Sequence, residues 1–145
     1  MVVSNFFLAL AAAVAVHELG HAAAARLVGV RVDRVQIGWG QRVIRVGVLD
    51  VRLVPTGGMV LAEPSRPWQG IVIAAAGVLA QWSVLALAMA TGLTRTDIPF
   101  WGWYLGLALV ALLHYVPLGR GDGALILHYV RQARRAKSKN PTRPL

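Results

Sequence analysis

The sequence predicts a polytopic α-helical membrane protein: three transmembrane helices, a short β-hairpin element between the first and second, and a C-terminal basic helix. Of its 145 residues, 57% are hydrophobic and 14% are charged, whereas about 25% of a soluble domain is charged. The charge is also unbalanced, with 15 Lys+Arg against 6 Asp+Glu. In so apolar a chain these cations are typical of cytoplasmic loops, so we expect no nucleic-acid partner.

Three apolar stretches are each long enough to cross a bilayer, which takes about 20 residues. They predict spans at about 3–28, 70–93 and 98–117. A cleaved signal peptide is the alternative for the first stretch, but its start carries no basic residues and its apolar character continues to Ala25. The short polar turn at 94–97 makes the second and third spans an antiparallel helical hairpin.

The segment at about 30–60 differs from the spans because β-branched and polar residues mix there, with glycines between them. It predicts two or three short strands in hairpins. They are expected to end at Pro55-Thr-Gly-Gly58, as a turn or a flexible edge. After the third span, a glycine-rich break precedes a predicted basic helix at about 123–137 and a disordered tail at 138–145. The whole chain, 1–145, is expected to form a single membrane-embedded core.

The distribution of cations predicts the orientation of a multi-pass integral membrane protein. Seven Arg lie between Arg26 and Arg66, seven Lys+Arg lie from Arg120 onward, and only Arg95 lies in the 94–97 turn. By the positive-inside rule, the 26–69 loop and the C-terminus are cytoplasmic, while the N-terminus and the short turn are outside. A basic tail resting on anionic lipid fits the same topology.

The strongest chemical signal is His17-Glu-Leu-Gly-His21 inside the first span. Two histidines four residues apart lie on one helical face, about 6 Å apart, which suits a shared metal ion. Glu18 lies on a neighbouring edge, where a carboxylate can take a proton from metal-activated water without being a ligand. The alternative is a pair of histidines hydrogen-bonded to neighbouring helices beside a neutral Glu18. Burying these groups without partners costs several kcal/mol.

A catalytic zinc ion needs a third protein ligand and one open position. Geometry favours Asp122, which follows a glycine-flanked break on the predicted cytoplasmic side. An ordinary helix N-cap is the alternative role for this aspartate. Glu63 stays open as a ligand, whereas Asp97 lies in the outer turn. Asp33 and Asp50 lie among arginines and are expected to be solvated.

Four motifs occur in the order found in a known family. They are His17-Glu-Leu-Gly-His21, Gly57-Gly58, Ala-Gly-Val-Leu-Ala-Gln at 76–81, and Val-Pro-Leu-Gly-Arg-Gly-Asp-Gly at 116–123. In these motifs the chain resembles the site-2 protease family of intramembrane zinc metalloproteases, as a minimal three-helix core without a PDZ or CBS domain. The resemblance covers nearly the whole chain. It implies that His17, His21 and Asp122 bind one Zn²⁺ per chain and that Glu18 is the general base.

Several positions depart from the family pattern. Val78 replaces proline, Gln81 and His114 stand where asparagine is usual, and Gly121 replaces leucine. The metal-binding set is intact, so the departures bear on substrate positioning and on oxyanion stabilisation. Gln81 and His114 would then act as the donors, although a core histidine bonded to a carbonyl is an equal alternative for His114.

Gly57 and Gly58 have a candidate role of their own. A transmembrane helix must unwind before its peptide bonds reach a metal, and an exposed strand edge near the site can hold the unwound chain by β-addition. A loop returning to the second span is the alternative.

These observations favour a zinc endopeptidase acting on transmembrane or membrane-proximal segments of membrane proteins. The second hypothesis is a catalytically idle membrane scaffold or regulator that retains a structural metal site. A metal-ion carrier is disfavoured because the sequence offers one ligand cluster and no acidic path across the spans. The expected partners are an unwound substrate helix and the lipid bilayer, with a homo-oligomer or a regulatory partner left open.

Overall fold

The computed structural model describes residues 2–117 and 121–139. Its elements in chain order are α1 (Val2–Leu27), β1 (Val32–Val46), β2 (Leu49–Ala62), α2 (Pro67–Ala90), α3 (Ile98–Ala111) and α4 (Asp122–Lys139). Short 3₁₀ turns at Leu93–Arg95 and Leu112–Tyr115 lie on either side of α3. This order confirms the prediction of three long helices with a β-hairpin between the first two.

Three helical segments are long and apolar enough to cross a membrane: Val3–Leu27, Pro67–Ala90 and Ile98–Tyr115. The second begins and ends three residues before the predicted 70–93. Its early start has a local cause, because Gln69 accepts a hydrogen bond from the Arg66 backbone N–H at 2.9 Å and so caps the helix. The Gln69 amide also donates to the Val28 carbonyl at 2.9 Å, which fixes the start of α2 beside the end of α1.

The two strands form one antiparallel sheet with an irregular register. The predicted strand end at Pro55–Gly58 is wrong, because β2 continues through these residues to Ala62. Gly58 pairs with Ile37, and a Cβ at Gly58 would collide with the Gln36 carbonyl oxygen. The glycine therefore permits a close backbone approach within the sheet rather than a turn.

Both strands bend, and the bend places one part of β2 at the edge of the sheet. Residues 35–37 pair with 58–60 and also with 49–51. Gly38 and Gly40 have φ angles of +87° and +78°, a conformation that glycine adopts without strain. The segment 58–60 therefore lies on the outside of 35–37, next to the helices.

Two apolar clusters hold the elements together. One joins the end of α1 to the base of the hairpin through Ala22, Ala25, Val30, Val32 and Val35. The other joins the first half of α1 to α2 and α3 through Ala9, Ala13, Leu85 and Tyr104. Residues 17–21 lie on α1 between these two clusters, so both flanks of the candidate site are packed.

The basic helix α4 begins at Asp122 and ends at Lys139. It therefore starts one residue earlier than predicted, and positions 138–139 are helical where the sequence predicted a disordered tail. The helix extends past the predicted end because no glycine or proline interrupts the chain between Ala124 and Lys139. The rest of that tail, 140–145, and most of the predicted glycine-rich break, 118–120, lie outside the described residues.

Candidate metal centre

Three side chains converge on one point at the level of the α1 histidines. The Nε2 atoms of His17 and His21 lie 3.1 Å apart. The Asp122 carboxylate completes the group, with Oδ2 3.2 Å from His17 Nε2 and Oδ1 3.5 Å from His21 Nε2. Ligands about 2.0–2.1 Å from a tetrahedral zinc ion are separated by about 3.3–3.4 Å. The three separations in this site bracket that value.

Hydrogen bonds from the far ring nitrogens fix the orientation of both imidazoles. His21 Nδ1 lies 2.6 Å from the Ile73 carbonyl oxygen, which only accepts, so Nδ1 carries the proton. The Gln81 amide nitrogen donates to the Ala13 carbonyl at 3.0 Å. Its Oε1 therefore faces His17 Nδ1, 3.3 Å away, and accepts that proton. In the neutral rings both Nε2 lone pairs then point at each other, an arrangement that a cation between them stabilises.

Two further observations indicate that these residues fit a zinc ion. Asp122 Oδ2 is buried without a hydrogen-bond partner among the described residues. An unpaired buried carboxylate oxygen is costly unless a cation binds it. In addition, a Cβ at Gly77 would lie 2.5 Å from His21 Nε2 and 2.8 Å from His17 Cε1. The absence of a side chain at position 77 therefore leaves the space in which the two rings meet.

The groups of helix α2 that contact the two imidazoles lie on one face of that helix. Ile73, Gly77 and Gln81 are spaced four residues apart and so lie on one helical face. The close approach of α1 and α2 depends on Gly20, because a Cβ there would lie 2.6 Å from the Ala80 Cβ. The sequence motif at 76–81 drew attention to Gln81 but not to the role of Gly77. A glycine inside an apolar span, four residues before a polar one, is the signal that indicates it.

Packing of α4 on α2 brings Asp122 to the histidines. A Cβ at Gly70 would collide with the Tyr129 ring, so this tyrosine lies directly on the first turns of α2. A Cβ at Gly123 would collide with the Tyr115 carbonyl oxygen, which places the start of α4 against the 3₁₀ turn. The Tyr115 hydroxyl in turn donates to the Ala75 carbonyl at 2.5 Å. Asp122 is the first residue of α4, and no capping hydrogen bond to its side chain is found among the described residues.

A cavity of about 750 Å³ opens over the group. Its walls include Glu18, which is 7% exposed, together with the β2 segment Thr56–Val60. A Cβ at Gly58 would lie 2.5 Å from Glu18 Cγ, so the strand edge lies directly against this glutamate. The structure thus brings Gly57 and Gly58 to the site as part of a strand.

His114 also faces the group. Its ring centroid lies 5.4 Å from that of His17. Ligand atoms of His17, His114 and Asp122 all lie within 4.8 Å of one another. The His114 side chain is exposed and lines the cavity.

The remaining carboxylates lie elsewhere. Asp97 caps α3 by accepting the Phe100 backbone N–H at 3.1 Å. Asp33 forms an exposed ion pair with Arg31. Glu63 is exposed and belongs to no group of metal-binding side chains among the described residues.

The prediction that Asp50 is solvated is wrong. Its side chain is fully buried, with oxygens 3.0 Å from Arg42 Nε and 3.4 Å from Arg52 Nη2. The hydrogen bond from Arg42 lowers the pKa of the Asp50 carboxyl below its ordinary value. The two arginines that suggested solvation instead pair with the carboxylate inside the bent sheet, which is why its burial is tolerated.

Two comparisons with known proteins bear on this site. The sequence profile of peptidase family M50 matches residues 5–98, more than half of the chain. That range contains His17, Glu18 and His21, whereas Asp122 lies beyond it. A protein of Synechocystis sp. named "Putative zinc metalloprotease" is 44% identical over 62 residues, which make up 40% of this chain and 17% of that protein. The chain therefore belongs to peptidase family M50, the site-2 protease family.

Proposed function

We propose that this chain is an intramembrane zinc endopeptidase that cleaves transmembrane or membrane-proximal segments of membrane proteins. His17, His21 and Asp122 would hold one zinc ion, and Glu18 would act as the general base. The observation that carries the proposal is the convergence of two Nε2 atoms and one carboxylate at separations of 3.1, 3.2 and 3.5 Å. Family membership supports metalloprotease chemistry independently.

When bound, zinc supplies Lewis-acid chemistry and lowers the pKa of water to about 7. The protein's own contribution begins with Glu18, which lies one residue from His17 and lines the same cavity. Its carboxylate is placed to take the proton from the attacking water and to pass it to the leaving amine. Its low exposure, 7%, keeps bulk water from competing for that proton.

The edge of β2 is the proposed binding surface for the substrate backbone. Residues 58–60 pair with 35–37 on one side. Their segment lines the cavity, and no other strand among the described residues pairs with it there. An unwound substrate segment can add to this edge through main-chain hydrogen bonds. Because Gly58 touches Glu18, a peptide bond held on the edge would lie beside the general base.

We assign Gln81 to orientation of His17, because both ends of its amide are already bonded within the protein. The sequence-based role of Gln81 as a donor to the oxyanion stays a prediction. His114 is free of such bonds among the described residues and faces the cavity. It is therefore the better candidate to stabilise negative charge on the substrate oxygen.

The decisive experiment compares the wild type with Glu18→Gln on a single-span membrane substrate. Glutamine has the same shape, so zinc content should stay near wild type while cleavage falls by at least about 10²-fold. Glu63→Gln is the matched control, because this exposed glutamate lies outside the metal group. Equal cleavage by Glu18→Gln and the wild type would contradict the role of this base. Absence of cleavage by a zinc-loaded wild type would favour the scaffold hypothesis.

A further inference from the structure

His114 occupies an unusual position for a histidine that is not part of the proposed zinc-binding set. It lies in the 3₁₀ turn Leu112–Tyr115, where the last apolar helix tightens before the start of α4. Its ligand nitrogen lies within 4.8 Å of ligand atoms of both His17 and Asp122. The imidazole makes no hydrogen bond to any residue that the structure describes. An imidazole this close to the ligand atoms of two proposed zinc-binding residues is placed to bind the same metal ion.

The proposed zinc site has room for His114 as a further ligand. His17, His21 and Asp122 supply three ligand atoms, whereas zinc in proteins usually takes four. Zinc sites with four protein ligands are closed, and sites with three keep a position for water or substrate. The His114 side chain is exposed, lines the cavity and lies within 4.8 Å of ligand atoms of His17 and Asp122, so it is placed to supply a fourth ligand.

We infer that His114 is a displaceable fourth ligand that closes the metal site in the resting protein. In this state three imidazoles and one carboxylate would hold the ion and would leave no open position for water. A substrate segment entering the cavity along the β2 edge would displace the His114 imidazole, which would then face the substrate oxygen. The inference rests on the proposed function, because it assumes the zinc ion held by His17, His21 and Asp122.

Counting imidazole ligands tests the inference without measuring activity. X-ray absorption at the zinc edge should show three imidazoles in the wild type and two in His114→Asn. Asparagine is the matched replacement, because it is polar and of similar size but binds zinc poorly. His128→Asn is the control, because His128 is exposed on α4 and does not line the cavity. This control should keep three imidazoles.

Binding of thiocyanate to the cobalt-substituted protein gives a second measurement. The anion must compete with His114 in the wild type but meets an open position in His114→Asn. We therefore expect its affinity, read from the visible cobalt spectrum, to rise at least tenfold in this variant and to stay unchanged in His128→Asn.

Each outcome bears on one of the two proposals. A wild type that holds one zinc ion with only two imidazoles contradicts the role of His114 and leaves the proposed function standing. Three imidazoles in both the wild type and His114→Asn also contradict it, because the third ring then comes from elsewhere. A wild type that binds no zinc overturns the proposed function, and the inference falls with it.

Discussion

At the scale of single residues, the candidate site depends on groups behind the imidazoles as much as on the imidazoles themselves. The Ile73 carbonyl and the Gln81 amide hold the Nδ1 atoms of the two rings. Such partners keep both Nε2 atoms free for a metal ion, and losing them typically costs 10–100-fold in metal affinity. Zinc affinity therefore reports on α2 as well as on α1.

Gly77→Ala tests the space between the rings. The new Cβ would lie 2.5 Å from His21 Nε2, so the ring must move away from His17. We expect zinc affinity to fall by about 10–100-fold, as for other losses of ligand orientation. Metal content after dialysis against a graded chelator measures the change. Gly106→Ala is the matched control, because a Cβ there meets nothing within 4 Å. Equal zinc retention in the two variants would contradict this account of Gly77.

Substitutions of Asp122 distinguish a role in metal binding from a role in helix capping. Asparagine caps a helix about as well as aspartate but is an uncharged and poorer zinc ligand. We expect Asp122→Asn to lose zinc while its thermal stability in the metal-free state stays near wild type. If Asp122 only caps α4, Asp122→Ala should cost about 0.5–2 kcal/mol of stability and keep the metal. Full zinc in Asp122→Asn together with loss in Glu63→Gln would reassign the third ligand to Glu63.

The sequence could predict part of this site because part of it is local. Spacing within one helix is enough to place His17 and His21 together, with Glu18 beside them. The partner of Gln81 could not be predicted in this way, because it is a backbone carbonyl of α1 that only helix packing brings near. The same holds for Asp50, whose burial depends on how the hairpin bends.

At the scale of elements, the β-hairpin is the part whose structure was least predictable from the sequence. Pro55 and two glycines are typical of turns, and proline is indeed unfavourable inside a regular sheet because it cannot donate a backbone hydrogen bond. Here Pro55 lies where β2 passes from one partner segment of β1 to another, and Gly58 lies where the backbone approaches Glu18. Both residues therefore serve tertiary contacts that a single segment of sequence does not reveal.

The buried Asp50 predicts how the stability of the hairpin depends on pH. The hydrogen bond from Arg42 lowers the pKa of this carboxyl below its ordinary 3.8 in the folded protein. Its contribution is therefore complete above pH 3.8 and is lost as the pH falls below it, because the unfolded chain takes up the proton first.

We expect Asp50→Asn to lower the midpoint of thermal unfolding at pH 6, and the difference from the wild type to shrink toward pH 2.5. Asp33→Asn is the matched control on the neighbouring strand β1, because Asp33 is 47% exposed and its ion pair is weak. A difference for Asp50→Asn that stays constant over this pH range would contradict the charge-based explanation.

At the scale of the whole molecule, the site is assembled from opposite ends of the chain. His17 and His21 come from α1, whereas Asp122 comes from the start of α4. The family match covers 5–98, so the proposal of Asp122 as third ligand rests on the structure and on the 116–123 motif rather than on that match. For Asp122 to meet the histidines, the start of α4 must reach the membrane on the side where α1 ends.

The distribution of cations predicts which side this is. Fourteen of the 15 cations flank the end of α1, the hairpin and α4, so the positive-inside rule places these segments in the cytoplasm and residues 94–97 outside. The histidines then lie five to nine residues before Arg26, roughly 8–14 Å from that end of the helix at about 1.5 Å per residue. In this predicted orientation, such a depth would place the proposed zinc ion inside the membrane but within reach of α4.

Because the chain contains no cysteine, single cysteines can report this topology. Thr96 and Ser138 are both exposed, one in the short turn and one near the end of α4. A membrane-impermeant maleimide should label Thr96→Cys in intact cells and Ser138→Cys only after permeabilisation. The opposite pattern would place the basic segments outside and contradict the orientation. Labelling of both sites in intact cells would place α4 outside, whereas the prediction places it in the cytoplasm. Asp122 could then reach the histidines only if the end of α1 also lay outside.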